Sequence, residues 1–145
     1  MNIACRCAGQ RATFTRNVRR LKSATVLYWI IDSRKRLVTH TAEGELTRGD
    51  LTAYFDAVTA ADAWSWRKLF DARKARPTMT AEDLMAIGVR IRAQHARGVA
   101  GPIAIVLPEV ESETFTRLLG FIAVADRKMR VFKTLDPARQ WIETT

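Results

Sequence analysis

The stretch Gly101-Pro102-Ile103-Ala104-Ile105-Val106-Leu107 decides the fold class of this 145-residue sequence. The Gly-Pro pair interrupts the segment before it, and the residues that follow are apolar without a break. Strands of this kind are found where helices cover both faces of a parallel sheet, because neither face then meets water. The stretch therefore predicts the central strand of a sheet in an α/β domain.

The segments on either side of this strand are predicted to be helices. Thr80 is a candidate N-cap residue with acidic residues in the turn that follows it. The helix after it would bury Leu84, Ile87, Gly88 and Ile91. Downstream, residues 109–125 have apolar residues at helical spacing, and residues 129–133 predict a last strand. A final short helix would bury Leu135, Ala138 and Ile142.

Three further strands are predicted upstream of Thr80. Residues 26–31 are β-branched and aromatic, and residues 37–41 follow after a short polar turn, so the two segments predict a hairpin. Residues 66–72 predict the next strand because apolar residues lie at its centre. The basic, proline-containing residues 73–78 predict a loop.

A helix is predicted between the hairpin and the strand at residues 66–72. Thr47 and Asp50 form an approximate capping box, and the residues buried after it would be Leu51, Tyr54, Phe55 and Val58. The element order becomes β-β-α-β-α-β-α-β-α, and alternating elements imply parallel strands joined by right-handed crossovers. The predicted fold class is α/β, with a mixed, mainly parallel sheet of about five strands and about four helices.

Basic residues are concentrated in the first part of the sequence. The net charge is +9, and residues 1–36 hold nine Lys or Arg against one acidic residue, Asp32. Residues 1–23 also have no clear apolar periodicity, which is typical of disordered segments. We therefore expect a basic, disordered arm over residues 1–23 and one folded domain over residues 24–145.

The composition favours a cytoplasmic protein without a membrane span. No tract is as long and apolar as the roughly 20 residues that cross a bilayer. The two cysteines, Cys5 and Cys7, lie one residue apart, offer no disulfide framework and suit a reducing compartment.

The sequence shows little catalytic machinery. Its glycines are scattered and form no phosphate-binding loop. A metal site would have to combine Cys5 and Cys7 with His40 and His95, which is an improbable set of ligands. Asp71 follows a predicted strand, where open α/β folds place functional groups, but it lacks the acidic partners of a phosphate-accepting receiver domain. We therefore expect no enzyme activity, no metal and no cofactor.

Four short motifs are similar to those of SpoIIAA-like proteins, the fold group that includes the STAS domains of anti-sigma-factor antagonists. These motifs are Arg36-Leu37-Val38-Thr39, Gly44-Glu45-Leu46-Thr47, Arg67-Lys68-Leu69-Phe70-Asp71-Ala72-Arg73 and Met129-Arg130-Val131-Phe132. They resemble small stand-alone bacterial members of that group, and the resemblance covers about the whole of residues 24–145. It implies a SpoIIAA-like, or STAS-like, single domain that acts as a non-enzymatic regulatory or protein-binding module.

The resemblance also implies where a protein partner would bind. In the regulators of this group, a Ser or Thr at the start of the helix after the third strand is phosphorylated, within an Asp-Ser-Ser/Thr-Gly-type motif. Here Thr80 is the nearest residue to that phosphoacceptor, but neither the preceding Asp nor the Gly is present. Partners of such domains dock around this helix, so the predicted partner-binding residues are Arg73, Arg76, Thr78, Met79, Thr80 and Asp83.

Other functions stay open. The main alternative is a binder of a small acidic ligand or lipid in a cleft beside the sheet, near Trp64, Trp66 and the adjoining basic residues. Nucleic-acid binding is expected only through the basic arm, where it would weaken steeply with salt. A homodimer through the helices that contain Tyr54 or Phe115 is a further possibility.

Overall fold

The computed structural model describes residues 2–7, 26–110, 112–123 and 127–145. Within these residues, six strands form one sheet, and the strands are neighbours in the sheet in the same order as in the chain. The elements are β1 (Asn2–Cys7), β2 (Val26–Asp32), β3 (Leu37–Leu46), α1 (Arg48–Ala60), β4 (Arg67–Pro77), α2 (Ala81–His95), β5 (Ile103–Val106), α3 (Glu113–Ile122), β6 (Met129–Phe132) and α4 (Leu135–Thr144).

The sheet is mixed, as predicted. The pairs β1–β2 and β2–β3 are antiparallel, whereas β3, β4, β5 and β6 run parallel to one another. Because each parallel crossover steps to the next strand in the same direction, α1, α2 and α3 pack on one face of the sheet. The other face is covered by α4, whose buried side chains pack on Leu37, Leu69, Ala104 and Val106. From β2 onward, the element order and fold class predicted from the sequence are confirmed.

The predicted capping box at Thr47 and the predicted N-cap at Thr80 are both present. The Thr47 hydroxyl accepts a hydrogen bond from the Asp50 backbone N–H, and the Asp50 carboxylate accepts one from the Thr47 N–H at 2.9 Å. Thr80 and Asp83 repeat this arrangement at the start of α2. Each box satisfies backbone donors that the first turn of a helix leaves unpaired, so it fixes the residue at which the helix begins.

The prediction of a loop at residues 73–78 is wrong, because β4 continues to Pro77. In the register, Gly44 pairs with Ala75 and Leu46 pairs with Pro77. Because β3 extends to Leu46, it offers backbone partners that let β4 continue past its predicted end. Ala75 is buried between exposed basic neighbours, which shows that the charges lie on the solvent side of a strand. The helix predicted at residues 109–125 is also shorter, at Glu113–Ile122.

The prediction of a disordered arm is wrong for Asn2–Cys7, which form β1 at the edge of the sheet. The physical reason is backbone pairing: each of these residues stands opposite a residue of β2 in an antiparallel ladder. A charge count does not detect such a short strand. The rest of the predicted arm, residues 8–23, lies outside the described residues.

Among the residues that the structure describes, no helix combines the length and the apolar character needed to span a bilayer.

Gly101 marks a close approach between the loop before β4 and the loop before β5. A Cβ atom at this position would overlap the backbone carbonyl oxygens of Trp66 and Ser65, whereas a Cβ atom at Gly98, in the same loop, would have no neighbour within 4 Å. The Gly101 N–H also donates to the Trp64 carbonyl oxygen at 3.0 Å. The two loops therefore meet through bare backbone.

We expect Gly101→Ala to lower the free energy of unfolding by about 1–3 kcal/mol or more, because backbone must move to relieve the overlap. Gly98→Ala is the matched control and should change stability by less than about 1 kcal/mol. Urea unfolding followed by circular dichroism gives both values. Equal stability of the two variants would contradict the close approach.

Candidate functional site

A buried histidine lies at the centre of the sheet face that α1, α2 and α3 cover. His40 of β3 stacks between Tyr54 of α1 and Phe70 of β4, with ring centroids 4.3 Å and 4.4 Å apart. It is 4% exposed, and neither ring nitrogen has a hydrogen-bond partner among the described residues. Burial lowers the pKa of His40 well below its ordinary value, and the positive charges of Lys68 and Arg127 add to this effect. The imidazole is therefore neutral in the folded protein.

A lysine is buried beside it at the start of β4. Lys68 is only 2% exposed. Its Nζ donates to the carbonyl oxygens of Ala63 at 3.1 Å, Trp64 at 2.6 Å and Trp66 at 2.9 Å. Burial and the nearby Arg127 lower the pKa of Lys68 to about 6. The three carbonyl oxygens oppose this shift, since a neutral amine has two N–H groups to donate and an ammonium has three. Lys68 thus ties the α1–β4 loop to the sheet.

An arginine closes the same region from the segment before β6. Arg127 Nε donates to the Gly101 carbonyl oxygen at 2.7 Å, while its Nη2 is buried and has no partner among the described residues. Burial lowers the pKa of Arg127 to about 10, so the guanidinium stays charged at neutral pH. The buried Tyr54 hydroxyl is likewise unpaired, and burial raises its pKa so that it stays protonated.

These groups line an inner cavity of about 40 Å³ between the sheet and the three helices. We call it the inner cavity; its lining residues are His40, Leu51, Tyr54, Phe55, Trp64, Lys68, Phe70, Ile91, Ile103, Leu118, Ile122 and Arg127. Among the described residues, the lining holds the charged Arg127 guanidinium, the Lys68 amine, an imidazole and a phenol, but no carboxylate. Its walls are otherwise apolar, which strengthens electrostatic interactions inside it.

A larger cavity, of about 330 Å³, lies outside the inner cavity along the α2–β5 loop. We call it the outer cleft; it is lined by His95, Ala96, Arg97, Gly98, Val99, Ala100 and Arg127. A depression of about 150 Å³ shares most of this loop and extends to Trp64. Both ring nitrogens of His95 are buried without a partner among the described residues, and burial lowers the pKa of His95. Arg127 forms a wall that the inner cavity and the outer cleft share.

The predicted partner-binding residues lie along the end of β4 and the start of α2. Arg73, Arg76, Thr78 and Thr80 are exposed, as a docking surface requires. Met79 is not: it is 7% exposed and packs in the core, so its prediction as an accessible contact is wrong. The reason is that Met79 precedes the helix and points its side chain toward the core when Thr80 caps α2.

Two of these predicted residues are already engaged by neighbours. Asp71 accepts two hydrogen bonds from the Arg73 guanidinium, at 2.9 Å and 2.8 Å, and this pair lowers the pKa of Asp71. Asp83 belongs to the Thr80 capping box and lies 3.7 Å from Arg48. Asp32, at the far end of β2, binds the backbone N–H groups of its own turn. The two aspartates that a receiver-like site would need therefore lie apart.

The inner cavity was only partly anticipated from the sequence. The alternative of a cleft beside Trp64 and the adjoining basic residues agrees with its position, but Lys68, Tyr54 and Arg127 were not singled out. A signal for Lys68 exists: it alternates with Phe70 and Ala72, so it shares the inward face of β4. His40 and His95 were considered only as metal ligands, and the described residues contain no group of three or more His, Cys, Asp or Glu that would hold a metal ion.

Comparison of the whole chain with solved structures identifies the architecture. A crystal structure of an uncharacterized protein of the DUF3478 family from Shewanella loihica PV-4, with a SpoIIAA-like fold, superimposes with a TM-score of 0.52. The alignment covers 98% of this chain and 95% of that one at 13% sequence identity. This chain has a SpoIIAA-like fold.

The resemblance expected from the four motifs is thus confirmed at the level of the fold. Helices cover both faces of the sheet in this chain, and the inner cavity lies on the face that three of them cover. The sequence matches no protein-family profile, and no curated protein matches it. Function must therefore be argued from the site itself.

We expect the free energy of unfolding to rise with pH over a window set by Lys68. The window runs from about pH 6, its pKa in the folded protein, to about pH 10.5, its ordinary pKa. In this window the unfolded chain binds a proton that the folded protein releases, so stability increases with pH. The measurement is urea unfolding at a series of pH values. Lys68→Met should flatten this slope, because no titrating group is then buried at this position.

Lys68→Met also leaves three carbonyl oxygens without their donor, so the variant will be less stable at every pH. If it does not fold, Lys68→Arg provides the same comparison, since its guanidinium stays charged throughout the window. A slope that is identical in wild type and variant would show that Lys68 keeps its ordinary pKa.

Proposed function

We propose that this SpoIIAA-like domain is a non-enzymatic binding module that holds a small carboxylate in the inner cavity. The observation that carries the proposal is the buried guanidinium of Arg127, which lines the cavity together with the unpaired Tyr54 hydroxyl and no carboxylate among the described residues. Burying an unpaired charge costs several kcal/mol, and an anion bound to Arg127 would offset that cost.

The unpaired donors around the cavity suit an oxyanion. Arg127 Nη2 and the Tyr54 hydroxyl are both buried without a partner, and each donates to a carboxylate oxygen better than to any neutral group. A guanidinium is planar and matches the two oxygens of a carboxylate. The Lys68 amine lies at the same end of the parallel strands as Arg127, and its hydrogen bonds hold the loop before β4.

The size of the inner cavity limits what it can hold. Its volume of about 40 Å³ exceeds the roughly 10–15 Å³ that one water molecule requires. It is suited to a small anion or to the head of a longer molecule. The apolar walls, including Phe70, Ile91 and Leu118, would exclude water from around the charge.

Binding is favoured over catalysis by the surroundings of His40. A general base needs access to a substrate proton and is usually oriented by a third group. Here both faces of the imidazole are covered by aromatic rings, and no carboxylate among the described residues binds its nitrogens. The inner cavity therefore has donors for an anion but lacks an assembled acid–base pair.

We expect Tyr54→Phe to weaken acetate binding by about fivefold to tenfold without lowering the stability of the ligand-free protein. The hydroxyl has no protein partner, so its loss costs no internal hydrogen bond, whereas it removes one donor to the anion. Isothermal titration calorimetry with sodium acetate and urea unfolding without it measure the two effects. The aromatic ring, and with it the stack on His40, is retained.

Arg127→Met should abolish acetate binding, and Arg130→Met is its matched control because Arg130 is exposed on β6. The control should bind acetate as wild type does. The proposal is overturned if wild type binds no acetate, or if Tyr54→Phe and Arg127→Met bind it unchanged.

A protein-binding role is a second candidate, supported by the surface of α2. Met85 and Val89, one turn apart, are 66% and 58% exposed, so they form an apolar pair on the surface of α2 that a partner would cover. Arg76, Thr78 and Thr80, which precede them in the chain, are exposed as well. This is the surface at which the resemblance to STAS domains predicts a partner.

We expect a protein captured from the source cell's lysate by the wild-type chain to be lost with Met85→Glu and retained with Val110→Glu, a control at a still more exposed apolar residue. Thr80→Glu should lower the free energy of unfolding by about 1 kcal/mol through loss of the N-cap. Thr80→Ala loses the same cap without adding charge. A phosphorylation switch therefore requires that Thr80→Glu, but not Thr80→Ala, releases the partner.

A further inference from the structure

We propose that the bound molecule extends from the inner cavity past Arg127 into the outer cleft, so that the site takes an amphipathic monocarboxylate. This inference rests on the proposed carboxylate site and adds the rest of the ligand. The carboxylate lies in the inner cavity, and an apolar body lies against the α2–β5 loop. The juxtaposition of a small cationic cavity and a larger, mainly apolar cleft across one arginine carries the inference.

The first argument is that the two spaces have walls in common. Arg127 lines both the inner cavity and the outer cleft, and Trp64 lines the inner cavity and the adjoining depression on the α2–β5 loop. The polar part of the Arg127 side chain that lacks a partner, Nη2, is buried. A carboxylate bound there would have the remainder of the ligand within reach of the outer cleft.

The second argument is the chemistry of the outer cleft. Ala96, Val99 and Ala100 supply an apolar wall, and Val99 is 82% exposed. Among the described residues, no carboxylate lines this cleft, and its charged members are Arg97 and Arg127. His95 faces the same space with both ring nitrogens unpaired, and burial together with the Arg127 charge keeps it neutral. Arg97 is exposed and its charge is hydrated, so an apolar body would lie against the wall formed by Ala96, Val99 and Ala100.

The third argument is that one end of the α2–β5 loop is held firmly while the rest is open. Gly101 donates to the Trp64 carbonyl and accepts from Arg127 Nε, so it links both shared walls. In contrast, Arg97, Gly98 and Val99 are exposed. The fixed end keeps Arg127 in place, and the exposed part forms the side of the outer cleft that faces solvent.

The experiment is a titration of the full-length chain with sodium acetate, butanoate, hexanoate and octanoate at one pH and one chloride concentration. We expect affinity to rise by about threefold to fourfold for each added methylene that enters the cleft. Val99→Asp should weaken octanoate binding by about tenfold, because it places a charge against the apolar body, and should weaken acetate binding by less. Val110→Asp, at an equally exposed valine away from the cleft, should change neither.

The outcomes separate this inference from the proposed function. If no carboxylate of any length binds, the carboxylate site itself is wrong. If acetate binds as tightly as octanoate, or if Val99→Asp leaves the octanoate affinity unchanged, the inner site stands and the extension into the outer cleft is wrong. Octanoate binding that survives Arg127→Met would also overturn the extension, because the long ligand would then bind elsewhere.

Discussion

The hydrogen bonds of one buried lysine hold the centre of this structure together. Lys68 enters the core at the start of β4, and its Nζ donates to the carbonyl groups of Ala63, Trp64 and Trp66 in the loop that follows α1. That contact sets the position of Trp64, which in turn packs on Phe55 and closes the inner cavity. The same loop receives Gly101 through bare backbone, so the segment before β5 depends on it as well. The loop geometry, the core packing around it and the cavity thus depend on one lysine placed where water is excluded.

A core selected for stability alone would not contain these groups. Buried polar atoms are normally paired, and replacing an unpaired one with an apolar group of the same shape is often neutral or stabilising. Among the described residues such atoms belong to five residues, and four of these, His40, Tyr54, His95 and Arg127, line two neighbouring spaces, whereas Trp29 does not. Such local departures from a well-satisfied core are expected at functional sites, where binding sets the arrangement of groups.

The fold could be predicted because its signals are local, whereas the site depends on topology. Some signals span only a few residues of sequence. The pairs Thr47 with Asp50 and Thr80 with Asp83 each predict the start of a helix, and the apolar run of β5 predicts a strand. The site joins His40, Lys68 and Arg127, which are far apart in sequence and meet because β3 and β4 are neighbours and α3 returns its end to the same face. Predicting Lys68 as an inward residue required the pleat of β4, and the basic residues after it obscured that strand's true length. The prediction that Met79 is accessible was wrong for a related reason, since its burial depends on where the capped helix begins.

Helix α2 connects the exposed apolar pair Met85 and Val89 with the inner cavity and the outer cleft. Its outward side carries Met85 and Val89, its inward side places Ile91 in the inner cavity, and its last residue, His95, borders the outer cleft. Gly88 lies against the Phe121 ring with no space for a Cβ atom, so α2 cannot turn about its own axis without displacing α3. A ligand in the cleft would therefore act on the outward side only by shifting α2 and α3 together. A ligand alters a second site only by binding two conformations of the protein with different affinities. Coupling between a carboxylate and a protein partner would therefore require that α2 and α3 move together over the sheet.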